Sequence, residues 1–62
     1  MSNRFDTNQI VKGIHAGYFV ILGTRYIAGE KLYVCKEVNP ANFTQTAPGW
    51  ICLPEDALTE AV

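Results

Sequence analysis

Polar and apolar positions do not alternate evenly along this chain. They gather into short apolar runs separated by glycine and proline. The clearest run is Tyr18-Phe19-Val20-Ile21-Leu22, five aromatic, β-branched or aliphatic residues bracketed by Gly17 and Gly23. It is too short for a buried helix and suits a strand. A continuous run makes both faces of that strand apolar, whereas a small barrel has one interior. Either Tyr18, Val20 and Leu22 or Phe19 and Ile21 therefore lie against something else, such as a terminal segment or another chain.

After a break at Gly23-Thr24, Arg25-Tyr26-Ile27 reads as a short edge strand, and Ala28-Gly29-Glu30 as a hairpin turn. Lys31 to Val38 then alternates, with Leu32, Val34, Lys36 and Val38 on one face and Lys31, Tyr33, Cys35 and Glu37 on the other. That is the pattern of a half-buried antiparallel strand. Asn39-Pro40 ends it, and residues 39 to 49 form a long uncharged loop with Phe43 as its one bulky apolar group. Long ordered loops in small domains are often functional, so Phe43 is read either as a plug for the barrel mouth or as a contact residue.

Trp50 to Leu53 is the next strand. Pro54 forces a corner, and Pro54-Glu55-Asp56-Ala57-Leu58 suits one helical turn, with acidic residues at its positive end. Residues 59 to 62 fit a helix or a strand equally by local propensity. Residues 1 to 13 read as a loosely ordered segment in which Asp6 or Thr7 caps a helical turn over Asn8 to Lys12, ended by Gly13. Residues 14 to 62 form the single domain.

These elements predict a mainly β fold, a small barrel of about five short antiparallel strands with one 3₁₀ or α turn near the C-terminus. The pattern Gly29-Glu30-Lys31-Leu32-Tyr33-Val34, followed by Gly49-Trp50-Ile51 and Pro54-Glu55-Asp56-Ala57-Leu58, resembles the Src-homology-3-like barrels over roughly residues 17 to 62. In that family a glycine-acid turn opens a strand, and a late strand ends in proline, a 3₁₀ turn and a final short strand. The peptide-binding members carry a tyrosine in that last turn; the corresponding residue is Ala57, and their acidic, aromatic-rich first loop is missing. The chain is also similar in outline to the plasmid-borne type II dihydrofolate reductases, through Pro48-Gly49 and Ala57-Leu58. Their pore strand Val-Gln-Ile-Tyr is replaced by Trp50-Ile51-Cys52-Leu53, which argues against reductase activity.

Composition narrows the function classes. With 62 residues, 48% hydrophobic and 18% charged, the chain holds more apolar side chain than one small core absorbs. A protein partner or self-association, with a homo-oligomer the leading case, is therefore expected. The residues surplus to one core are Tyr18, Val20, Tyr26, Tyr33 and Trp50, with Phe43 from the loop. Five basic against six acidic residues leave no basic stripe, which disfavours nucleic acid. No apolar run is long enough to span a membrane, and a cytoplasmic location is the default.

No catalytic, cofactor or metal site nominates itself. His15 is the only histidine; with Cys35 and Cys52 it makes too few ligands for a structural zinc. The two cysteines read as small buried hydrophobes, able to meet only if their strands lie side by side. Glu55 and Asp56 are adjacent on a turn, so their carboxylates diverge instead of forming an acid and base pair. The expected function is a non-enzymatic protein-binding or assembly module, of the size of a phage or mobile-element accessory protein that modulates a host protein. The alternatives are a nucleic-acid-associated barrel in which Arg4, Lys12, Arg25, Lys31 and Lys36 cluster, and a subunit of an oligomeric enzyme.

Overall fold

Five antiparallel strands and one 3₁₀ turn make up the structure, a computed structural model that describes residues 4–15, 17–42, 44 and 49–61. In chain order they are β1 (Ile10–Gly13), β2 (Tyr18–Ile27), β3 (Glu30–Val38), β4 (Ile51–Pro54), the turn η1 (Glu55–Ala57) and β5 (Leu58–Glu60). They form one sheet in the order β4-β3-β2-β1-β5. The mainly β class and the single turn near the C-terminus are as the sequence predicts. The sheet is not a closed barrel, however: among the described residues its two outermost strands, β4 and β5, are not paired with each other. At four and three residues they are, with four-residue β1, the shortest strands of the sheet, which leaves few backbone groups to close a ladder.

Curvature comes from β2. Its first half pairs with β1 and β3 together, and its second half with β3 alone. Between the two halves the register shifts, with Ile21 opposite Cys35 but Gly23 opposite Val34, so Leu22 is an extra residue in a bulge. A bulge bends its strand and increases the local twist, here curling the sheet around one interior. Gly23-Thr24 thus does not break the strand as expected; it continues through residue 27. The turn is a two-residue connection, Ala28-Gly29, with φ of 52° and 82°. Two left-handed residues match the right-handed twist of a hairpin, and Ala28 takes that conformation despite its Cβ.

All five strands and the N-terminal segment contribute to the interior. Val11 from β1, Ile21 from β2, Tyr33 and Cys35 from β3 and Leu58 from β5 are buried together with Phe5, and Phe19 and Leu53 pack against them. Residues before Ile14 are set apart by sequence, yet Phe5 is 1% exposed. Of the helical turn expected over Asn8 to Lys12, residues 10 to 12 are instead strand and Asn8 is in a turn before it, because the β2 edge offers partners: the Asn8 N–H donates to the Ile21 carbonyl at 2.7 Å, and the Ile21 N–H to the Gln9 carbonyl at 3.0 Å. Tyr33 joins the segment to the sheet. Its hydroxyl accepts from the Arg4 and Phe5 N–H groups at 3.1 and 3.3 Å and donates toward Glu55 Oε1 at 3.4 Å. The Phe5 and Tyr33 rings meet edge to face, with centroids 5.4 Å apart.

At the C-terminal end the undecided segment is strand through Glu60, and Val62 lies outside the described residues. Leu58 opposes Gly13 and Glu60 opposes Val11, and burial of Leu58 supplies the driving force that local propensity does not. The Ile14 N–H donates to the Ala57 carbonyl at 3.0 Å, fastening η1 to the end of β1.

Candidate functional site

Residues directly opposite in an antiparallel ladder share a face, and faces alternate along each strand. Tyr33, Cys35 and Ile21 are buried in the core, so their neighbours in sequence point outward. On β2 the outward positions are Tyr18, Val20, Gly23, Arg25 and Ile27, with Leu22 in the bulge; on β3 they are Glu30, Leu32, Val34 and Lys36, whereas Val38 in the same register is 2% exposed and already covered; on β4 they are Cys52 and Pro54. Of the two sets offered by the apolar run, Phe19 and Ile21 face the core and Tyr18, Val20 and Leu22 face out. The sheet is apolar on both sides.

Trp50 precedes β4 and belongs to the outer face, since the Arg25 guanidinium lies 5.7 Å from its ring centroid. Trp50 is 58% exposed and Leu22 40%, while Val20, Leu32, Val34 and Cys52 are half-buried beside them. Arg25 and Lys36 are the cations of the β2–β3–β4 part of this face, and Glu30, at the hairpin end, is its one carboxylate among the described residues.

The aromatic and aliphatic residues singled out by sequence divide into four groups. Tyr18, Val20 and Trp50 are on the outer face. Tyr26 lies opposite Lys31 in the core-facing register but beyond the core, 70% exposed at the hairpin end. Tyr33 is 0% exposed and offers nothing to a partner, because its ring is packed on Phe5 and its hydroxyl is bonded inside the fold. Phe43 lies outside the described residues. Leu22, Leu32 and Val34 were not among the interaction residues nominated by sequence, although the apolar run and the β3 alternation already group them with their neighbours, and Arg25 was named only for the nucleic-acid alternative.

The five cations do not gather at one place. Arg4 and Lys31 lie against the Phe5 and Tyr33 rings, at 5.0 and 5.5 Å from the centroids, at one end of the core. Arg25 and Lys36 are on the outer face, and Lys12, opposite Tyr18, is on the β1 part of the same face.

A second concavity, about 150 Å³, opens where β1 ends and is lined by Gly13, Ile14, His15, Phe19, Leu53 and Ala57. Its floor is the two apolar side chains that pack against the core, and exposed His15 is on its rim. Among the described residues that line it, His15 is the one titratable side chain. Among the described residues no group of three histidine, cysteine or acidic residues is placed to hold a metal ion. No helix there is long and apolar enough to cross a membrane.

The strands of Cys35 and Cys52 do lie side by side, but Cys52 opposes Val34, one residue from Cys35, so the two thiols point to opposite faces and both are free. Burial, with Cys52 nearby, pushes the Cys35 thiol up to about 11. At pH 8 an alkylating reagent therefore labels Cys52 and spares Cys35, since the thiolate is the nucleophile. Mass spectrometry of the native Cys52→Ser protein is expected to show almost no label; fast modification of Cys35 would place that thiol outside the core.

Comparison of the chain with protein-family models, curated proteins and solved structures gives no match.

Proposed function

We propose that this chain is a non-enzymatic protein-binding and assembly module that works by burying the outer face of β2, β3 and β4 against another protein surface. One observation carries the reading: a three-stranded sheet already covered on its inner side presents a second apolar side, with Leu22 and Trp50 exposed. A small domain with a contiguous apolar face of this kind is stabilised by covering it. The strand order, with a long bulged β2 shared between two halves and a 3₁₀ turn before the last strand, supports an open variant of the Src-homology-3-like barrel. In that reading the barrel is a scaffold, and the face supplies the function.

The test combines Leu22→Ser with Trp50→Ala, two exposed positions whose loss leaves the core intact. Wild-type protein is expected to sediment as an assembly, with itself or with a protein retained from source-cell extract, and the double variant as a monomer that retains nothing, at unchanged circular dichroism. Identical behaviour of the two proteins would remove the outer face from the function. Trp50 beside Arg25 is also the pairing that stacks a nucleobase. Tight, salt-sensitive binding of a single-stranded oligonucleotide that depends on Trp50 would therefore replace the protein partner with nucleic acid.

A further inference from the structure

We infer that the outer face is built to pair with a second copy of this chain, the two sheets stacked face to face with their β3 strands antiparallel. The inference rests on the proposed protein-binding reading and names the partner. Its basis is the order of outward residues along β3: Glu30, Leu32, Val34, Lys36. An acid stands at one end, a base at the other, and two aliphatic residues between them. Six residues at about 3.4 Å each separate the charges by roughly 20 Å.

Two stacked sheets related by a two-fold axis have only two simple arrangements. An axis along the strands places Glu30 over Glu30 and Lys36 over Lys36 of the other copy, which is repulsive at both ends. An axis across the strands, level with Tyr33, reverses one strand over the other. Glu30 then faces Lys36 of the other copy twice, and Leu32 faces Val34. The neighbouring strands follow the same reflection. On β2, Arg25 falls over Gly23, where nothing lies within 4 Å of the place a Cβ would take, and Ile27 falls over Val20. On β4, Pro54 falls over Cys52. Apolar residues meet apolar ones, Glu30 meets Lys36, and Arg25 meets the open space beside a glycine. Packed sheets lie about 10 Å apart, within the combined reach of a glutamate and a lysine, and tolerate a rotation of about 30° for twist.

The face is about three strands wide, some 15 Å at a spacing of about 4.8 Å, and roughly 20 Å long. That is about 300 Å² per copy, below the usual size of stable specific interfaces, so a weak dimer with a dissociation constant on the order of 100 µM is expected.

Sedimentation equilibrium on the full chain tests the inference, with emission of its single tryptophan, Trp50, as a second readout. The wild-type protein is compared with Glu30→Lys, Lys36→Glu and the double reversal. Each single reversal places like charges together at both symmetric contacts and is expected to weaken the dimer about tenfold; the double reversal restores it to within about twofold. Because the pairs are electrostatic, added salt weakens the wild-type dimer. That titration carries the test should a reversed variant not fold. Single reversals without effect, a double reversal that fails to restore, or a salt-insensitive dimer would overturn the antiparallel pairing. If assembly is then still lost in the Leu22→Ser, Trp50→Ala protein, the binding reading stands with a different partner or geometry. A chain that stays monomeric at millimolar concentration overturns the second copy as occupant.

Discussion

Phe5→Ala is expected to leave this protein largely unfolded at 25 °C. A 62-residue domain has about 3–9 kcal/mol of stability in total, at roughly 0.05–0.15 kcal/mol per residue. Removing a fully buried phenylalanine costs about 3–5 kcal/mol, from lost apolar burial and from the cavity left behind. Phe5 sits edge to face on Tyr33, within the cluster that also holds Val11, Ile21, Cys35 and Leu58. A gap at that position opens the end of the core, because the segment that carries Phe5 is also what covers it. Phe5→Leu keeps most of the volume and is expected to fold with a lowered midpoint. Urea unfolding followed by circular dichroism separates the cases; an alanine variant within about 1 kcal/mol of wild type would show that the N-terminal segment is not part of the cooperative unit.

How much of this was readable beforehand depends on whether the signal was local. Strand β3 was legible because eight residues alternate between two hairpin-terminating signals, and the last 3₁₀ turn because Pro54 and its acids specify it. Alternation gives two faces without saying which is inside. Lys31, Tyr33, Cys35 and Glu37 look the more polar set, yet Tyr33 and Cys35 are core, since the strand ends carry the charges beyond the core. The N-terminal segment was not legible for a different reason. Phe5 is a lone apolar residue among polar ones, and β1 is four residues long, so no periodicity develops in either. What places them is the hydrogen-bonding edge of β2 and the hydroxyl of Tyr33, both remote in sequence. The bulge at Leu22 is similarly a property of the ladder: it exists only when β3 is beside β2, and in the chain alone Gly23 reads as a break.

The interaction face was half legible for the same reason. The uninterrupted run from Tyr18 to Leu22 announces a strand with two apolar sides, but only the register tells which side is covered. It also brings Trp50, about 25 residues away in sequence, into contact with Arg25. The pairing of Glu30 with Lys36 on one row has meaning only once that row is known to face outward.

Tyr33→Phe is expected to cost about 1–3 kcal/mol, although it changes no apolar contact of the ring. The hydroxyl is the acceptor for the N–H groups of Arg4 and Phe5, and the Phe5 amide is inside the fold. Without it a buried donor is left unsatisfied, which costs more than the bond itself contributes. The 3.4 Å link to Glu55 is long and solvent-accessible at its carboxylate, so it adds little. The loss is therefore local to the N-terminal segment. Amide exchange is expected to accelerate at residues 5 to 9 before β3 and β5 respond, because the segment detaches at a free energy below that of global unfolding. Uniform acceleration across all strands would instead mean that the segment and the sheet open together. That result would make the tyrosine hydroxyl a determinant of the whole fold, with Phe5 and Tyr33 acting as one unit of the core.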